Sequence, residues 1–146
     1  MKQEELVKWV IVIAIIYLLY KVIKGFTTLT VGGEYPEVTE GLEGELIDLQ
    51  NRGINPTISE SDASSYADFI QDTSYSANTD EEGIFNIFRI LNNKADLVLL
   101  KIKFGTRRLP FSVNNVGLSA FLRSDLNESE IETINSILAQ KNISAI

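Results

Sequence analysis

The segment LVKWVIVIAIIYLLYKVIKGF, near the N-terminus, constrains this chain more than any other feature of the sequence. Residues 9–20 are uncharged and almost entirely apolar, and a lysine stands on each side of them. As a helix, residues 6–23 would be about 27 Å long, close to the ~30 Å hydrocarbon core of a bilayer, if both lysines extend towards water. The segment therefore predicts a single helix that crosses a membrane.

Two other interpretations of this segment are open. A cleaved signal peptide needs a basic start and a small-residue cleavage site, whereas Glu4 and Glu5 precede the apolar run and no A-x-A motif follows it. A helix buried in a soluble core is rarely apolar on every face at this length. We expect an anchor over residues 1–26 that contacts lipid through residues 6–23. The side chains expected at the two membrane surfaces are Trp9, Tyr17, Tyr20, Lys8 and Lys21.

Basic residues flank the apolar segment almost symmetrically. Lys2 and Lys8 precede it and Lys21 and Lys24 follow it, and only such residues count in the positive-inside rule. The N-terminal amine adds one positive charge to the first side. We therefore expect a single-pass membrane protein with its N-terminus inside.

Composition excludes several kinds of chemistry. Histidine and cysteine are both absent, so there are no disulfides, no usual zinc ligands and no Cys/His or Ser-His-Asp nucleophiles. The net charge is −7, and because residues 1–33 carry +2, the remainder carries −9. Such an acidic body does not suit nucleic-acid binding. We expect no catalytic residues, no enzyme activity and no cofactor, except for a hard cation such as calcium held by oxygen atoms.

Residues 27–56 have the composition of a spacer. Glycine and proline recur through this stretch, and glutamate is the commonest charged residue in it. Such a sequence favours a solvated, self-repelling tether. One short helix is expected within it, around residues 42–49.

From residue 57 onwards, the sequence predicts a small helical domain that ends at residue 146. Its expected helix starts are a serine-rich stretch at residue 59, a Thr79–Glu82 capping box, Asn93, and an Asn127–Glu130 capping box. Gly105 is expected to end the helix that begins after Asn93. The result is five helices in about 85 residues, so the fold class expected for the whole chain is all-α.

The order of these motifs resembles one repeat of the annexin family. Residues 79–81 match the T-D-E of the annexin loop, residues 104–105 match the aromatic-Gly pair that ends its third helix, and residues 122–126 match its L-K-S-E-L. The resemblance covers residues 59–143 and is closest to the single modules found at the C-termini of proteins from Bacteroidota and their phages. It implies a compact five-helix domain and, for the predicted anchor, a bacterial envelope or a viral membrane.

The same resemblance implies a calcium site. Annexins bind calcium through backbone carbonyls of a glycine loop and a carboxylate from S-E-L, which places the ligands here at Ser76, Asn78 and Asp125. Ser76 and Asn78 replace the two glycines, which reach positive φ at low cost. The alternative is that Thr79 and its acids only begin a helix.

A local cluster of positive charge is the remaining candidate site. Lys101, Lys103, Arg107 and Arg108 lie close together in the sequence and would suit an anionic group or an acidic partner; alternatively, they complement a helix C-terminus. Altogether, we expect a non-enzymatic, membrane-anchored structural or adaptor protein that docks onto a protein partner or onto copies of itself. The alternative is a tethered, calcium-dependent lipid- or ligand-binding module.

Overall fold

The computed structural model describes residues 37–76 and 78–146. This part contains six helices and one two-residue β-ladder, and it confirms an all-α architecture for the region that it covers. The elements are α1 (Glu37–Asn51), α2 (Glu60–Ser74), α3 (Glu81–Ile90), α4 (Lys94–Phe104), β1 (Arg107–Arg108), β2 (Asn115–Val116), α5 (Leu118–Asp125) and α6 (Glu128–Ala139).

The anchor predicted for residues 6–23, with Trp9, Tyr17, Tyr20, Lys8 and Lys21, lies outside the described residues. Within residues 37–76 and 78–146, none of the helices combines the length and the apolar character needed to cross a bilayer.

Helix α4 lies at the centre of the described part, because it is covered on two sides. It packs against α2 on one side and against α1 on the other. Residues 95–100 are consequently all buried, including the carboxylate of Asp96. A helix that is apolar nearly all round is expected to be buried in this way.

The main hydrophobic core is formed by residues from all five helices from α2 to α6. Helix α3 packs against α6, and the rings of Phe104 and Phe121 meet edge to face with their centroids 5.1 Å apart. The core extends to Ile143 and Ile146 after the last helix. Its fully buried members include Ile70, Ile84, Phe88, Leu91, Leu100, Phe121, Leu122, Ile134 and Leu138.

A second, smaller cluster joins α1 to the outer side of α4. Leu49 is buried there, with Leu42 and Leu46 partly buried, against Ala95 and Val98 of α4. The short helix expected at residues 42–49 is therefore present but longer than expected. These three leucines cover α4, so residues 42–49 differ from the solvated tether that their acidic composition suggests.

Most of the helix ends are the ones that the sequence predicts. Asn93 caps α4 and Asn127 caps α6, each in a capping box with the acidic residue three positions later. Gly105 ends α4 with a φ of 56°, in the region that favours glycine. Helix α6 ends at Ala139, and a turn continues it to Asn142.

The capping box predicted for Thr79 and Glu82 is wrong. Helix α3 starts one residue later, because the Asp80 carboxylate accepts the backbone N–H of Gly83 at 2.9 Å and takes the N-cap position. Thr79 is thereby released from the helix start, and its hydroxyl faces Asp125 instead, at 3.4 Å.

The connection between α4 and α5 contains a β-hairpin. Arg107 pairs with Val116 and Arg108 with Asn115 in an antiparallel ladder. The backbone N–H of Ser112 donates to the carbonyl of Leu109 at 3.2 Å, which closes a turn at the far end. This connection projects from the helical body.

Candidate functional site

The end of α2, the loop that follows it and the end of α5 meet at one place, which we call the Asp125 site. The Oδ2 atom of Asp125 lies 2.8 Å from the hydroxyl of Ser74 and 3.4 Å from that of Thr79. Ser74 is buried and Asp125 is half-buried. The carboxylate therefore contacts both flanks of the loop that contains Ser76 and Asn78.

Hydroxyl groups organise the loop itself. The Ser76 hydroxyl lies 2.6 Å from the carbonyl of Thr73 and also contacts the carbonyl of Asn78. The Thr73 hydroxyl accepts the backbone N–H of Asp80 at 2.7 Å. These contacts fold the loop back onto the last turn of α2.

The Asp125 site offers oxygen atoms only, which is the ligand chemistry of calcium. Of the predicted ligands, Asp125 is placed against the loop, whereas Ser76 and the carbonyl of Asn78 contact each other. Calcium takes six to eight oxygens, and the described residues contain no cluster of three or more acidic side chains suited to a metal. A bound ion would thus depend on backbone carbonyls, hydroxyls and water around a single carboxylate.

Ser74 is the member of the site that the sequence alone does not suggest. It lies four residues after Ile70, and its hydroxyl is also within 3.0 Å of the Ile70 carbonyl. A serine in a helix commonly bonds back in this way, so the sequence gives no reason to expect Asp125 as a further partner. The only sequence feature that points to Ser74 is its position on the buried face of α2.

The four cationic residues predicted as an anion or partner site occupy different environments. Lys103 pairs with Glu60 at 2.6 Å, and Arg107 pairs with Asp68 at 2.8 Å. Lys103 lowers the pKa of the Glu60 carboxyl through its hydrogen bond and its charge. These two cations hold α2 to the end of α4 and to β1.

Arg107 also lies over an aromatic ring. Its guanidinium carbon is 4.9 Å from the centroid of Phe104, and another nitrogen donates to Gln71 at 2.7 Å. Arg108 differs, because its side chain is exposed and donates to the carbonyl of Ser112 within the hairpin. Of the predicted patch, Arg108 is the residue that faces solvent most directly.

Lys101 lines a cleft of about 240 Å³ between α1 and the start of α5. Burial lowers the pKa of Lys101, and attraction to Glu45 offsets only part of that effect. Leu42, Gly117 and Leu118 form apolar and backbone walls. None of the described residues that line the cleft is acidic.

Comparisons of the chain with protein-family models, with curated proteins and with solved structures gave no match.

Proposed function

We propose that this chain is a non-enzymatic, membrane-anchored structural or adaptor protein whose helical part docks onto a protein partner. The observation that carries the proposal is the presence, in one chain, of an uninterrupted apolar segment and a helical unit in which three cations form ion pairs between separate elements. Lys94–Glu45, Lys103–Glu60 and Arg107–Asp68 each join two separate elements at 2.6 to 2.8 Å. Charges used in this way stabilise the arrangement of the described helices.

The most buried carboxylate supports the same interpretation. Asp96 is fully buried, but both of its oxygens accept hydrogen bonds from Thr57, Asn92 and neighbouring backbone groups. A general acid or base needs a carboxyl that can exchange a proton with a substrate. Asp96 instead joins the start of α4 to the segment before α2.

The link between anchor and helical part is short. Residues 24–36 separate the predicted span from α1, and thirteen residues reach at most about 45 Å when fully extended. A docking surface on the helical part therefore stays close to the bilayer. Together with the annexin-like motif order, this supports a role in a membrane-associated assembly, either a bacterial envelope or a membrane-containing phage virion.

Purification from the native membrane or particle tests this role. The full chain, solubilised in mild detergent, is expected to keep a protein partner bound, and cross-linking should capture the same partner before solubilisation. Deletion of residues 1–25 should release the protein from the membrane without unfolding α1 to α6. A truncated chain that stays with the membrane, or one that loses its helical signal, would contradict the proposal.

A calcium-dependent lipid- or ligand-binding module is the second candidate, and the Asp125 site is the observation in its favour. Binding would require the Ser74 and Thr79 hydroxyls to turn their protons away from the carboxylate, so that their oxygens face the ion. Such a site with one carboxylate is expected to be weak, in the range of about 10⁻⁴ to 10⁻³ M.

Calorimetry on the full chain in detergent tests the calcium candidate. The full chain is preferable to a fragment that begins at residue 57, because such a fragment would expose Ala95 and Val98. Calcium should release or absorb heat at millimolar concentration, Asp125→Ala should abolish that heat, and Asp72→Ala on the exposed face of α2 should leave it unchanged. No heat with the unaltered chain would rule out the calcium candidate.

A further inference from the structure

The tip of the hairpin between α4 and α5 carries two strongly exposed apolar side chains. The Phe111 side chain is fully exposed, and Val113 is 85% exposed. Phe111 also has a φ of 58°, in the left-handed region. A bulky residue in that conformation is an outlier, and such outliers cluster at sites that bind something.

The turn chemistry explains how the ring is held outwards. Pro110 occupies the second position and Phe111 the third position of the turn closed by Leu109 and Ser112. A positive φ at the third position is typical of a type II turn, where glycine or asparagine is usual. A phenylalanine at this position gains no packing within the described part of the chain.

The base of the hairpin, in contrast, is firmly attached to the helical body. Leu109 packs against the main core, and Arg107 is bonded to Asp68 and Gln71 of α2. The hydroxyl of Tyr75 donates to the carbonyl of Arg108 at 2.7 Å. A rigid base with an exposed apolar tip presents the two side chains in a fixed direction.

The charges of the hairpin itself favour an acidic partner surface, since Arg107 is paired with Asp68 of α2 and Arg108 supplies the remaining positive charge. No acidic residue occurs between Asp96 and Asp125, although the rest of the chain is rich in them. Arg108 is exposed beside the tip, and the half-exposed ring of Tyr75 lies next to it. Tyrosine and arginine are the residues that occupy the headgroup level when neighbouring apolar side chains enter a bilayer.

We propose that Phe111 and Val113 insert into the interface of an anionic phospholipid bilayer, with Arg108 at the level of the headgroups. This inference rests on the proposed anchor, because two apolar side chains alone bind weakly. An anchored chain presents the tip at a high effective concentration, which makes a weak contact sufficient. A pocket on a partner protein would need a complementary surface around the tip of the hairpin. The fluid interface of a bilayer can accept two protruding side chains without such a surface.

Cysteine labelling can test this proposal directly, since the chain has no cysteine of its own. The full chain with Val113→Cys is labelled with an environment-sensitive fluorophore and reconstituted into phosphatidylcholine vesicles, with and without phosphatidylglycerol. The matched control is Ser61→Cys, on an exposed position about 21 Å along α2 from Tyr75. Flotation with the vesicles first establishes that the anchor has inserted.

The label at position 113 is expected to shift to the blue and to be quenched by brominated lipid, more strongly with phosphatidylglycerol. The label at position 61 should stay accessible to aqueous iodide. Adding Phe111→Asn, which suits positive φ but removes the ring, should lessen the shift and the lipid quenching at position 113.

Three results would overturn the proposal. If the chain floats but the labels at 113 and 61 behave alike, the tip does not insert, while the anchor stands. If Phe111→Asn leaves lipid quenching unchanged, the ring is not the inserting group. If the chain does not float at all, the anchor and the insertion both fail.

Discussion

Replacement of the buried Asp96 carboxylate is expected to have the largest effect on stability among the polar residues described above. Its Oδ1 accepts the backbone N–H groups of Thr57 and Ile58 at 2.5 and 3.3 Å. Its Oδ2 accepts the hydroxyl of Thr57 at 2.8 Å and the backbone N–H groups of Asn92 and Asn93 at 2.7 and 3.3 Å. One side chain thus joins the segment before α2 to the start of α4.

Asp96→Asn is the informative substitution, because it keeps the shape of the side chain. Whichever oxygen becomes the amide nitrogen, it must face a backbone N–H at 2.5 Å or 2.7 Å, so two donors oppose each other. Hydrogen bonds to a charged group contribute about 1.5–3 kcal/mol each. Losing one or two of them should lower the free energy of unfolding by about 2–5 kcal/mol, a large share of a typical ~5–15 kcal/mol.

The pH dependence gives an independent test. Burial alone would raise the pKa of the Asp96 carboxyl, but the hydrogen bonds from Asn92, Thr57 and Ile58 outweigh it and lower the pKa below its ordinary value. The group therefore contributes stability above the unfolded-chain pKa of about 3.9, and that stability is lost as the pH falls through the folded-state value. In Asp96→Asn, the part of the acid-induced loss of stability that comes from protonation of Asp96 should therefore be absent.

Thermal unfolding of the full chain in mild detergent, followed by circular dichroism, measures both effects. A loss of ~3 kcal/mol should lower the Tm by roughly 10 to 15 °C in a helical unit of this size. Asp72→Asn, on the exposed face of α2, is the control and should change the Tm by little. The reasoning is refuted if Asp96→Asn unfolds within a degree or two of that control, or if its loss of stability in acid matches that of the unaltered chain.

Two further substitutions test how the helices are held together. Leu49→Ala should cost about 2–3 kcal/mol and speed hydrogen exchange in α1 first, since Leu49 is buried against α4; Ile47→Ala, at a position 57% exposed, should do neither. Gly83→Ala should destabilise the protein by about 1 kcal/mol, because the new methyl would stand 2.5 Å from the ring of Phe69 and 2.6 Å from the Asp80 carboxylate. In a Phe69→Ala background the same change should cost less, and a double-mutant cycle of unfolding free energies measures the difference; equal costs in both backgrounds would contradict the contact.

Signals confined to a few neighbouring residues predict much of this fold. Asn93 and Asn127 begin helices and Gly105 ends one, because capping depends on groups within three or four positions. Thr79 fails as a cap, since Asp80 competes for the same backbone donors one residue later. The Thr79 hydroxyl then faces a tertiary partner, Asp125, which lies 46 positions away in the sequence.

Long-range packing is what the sequence does not reveal. The acidic, glycine-containing stretch that becomes α1 resembles a spacer, yet Leu42, Leu46 and Leu49 cover α4. Asp96 is visible in the sequence only as the partner of Asn93 in a capping box, while its bonds to Thr57 span 39 positions. The hairpin escapes prediction because its ladder has only two residues in each strand, and its position is set by α2.

The separation of the α1–α4 cluster from the main core has a mechanical consequence. In the proposed membrane-anchored chain, a force applied to the anchor would reach the helical body first through α1, which is held to α4 by leucine contacts and by the Lys94–Glu45 ion pair. Peeling α1 away would leave the main core intact and would free residues 24–56, whose fully extended length is at most about 110 Å. The length that the connection can span would thus more than double before the main core is stretched. In the proposed membrane-anchored chain, α1 would act as an extensible, force-sensitive segment.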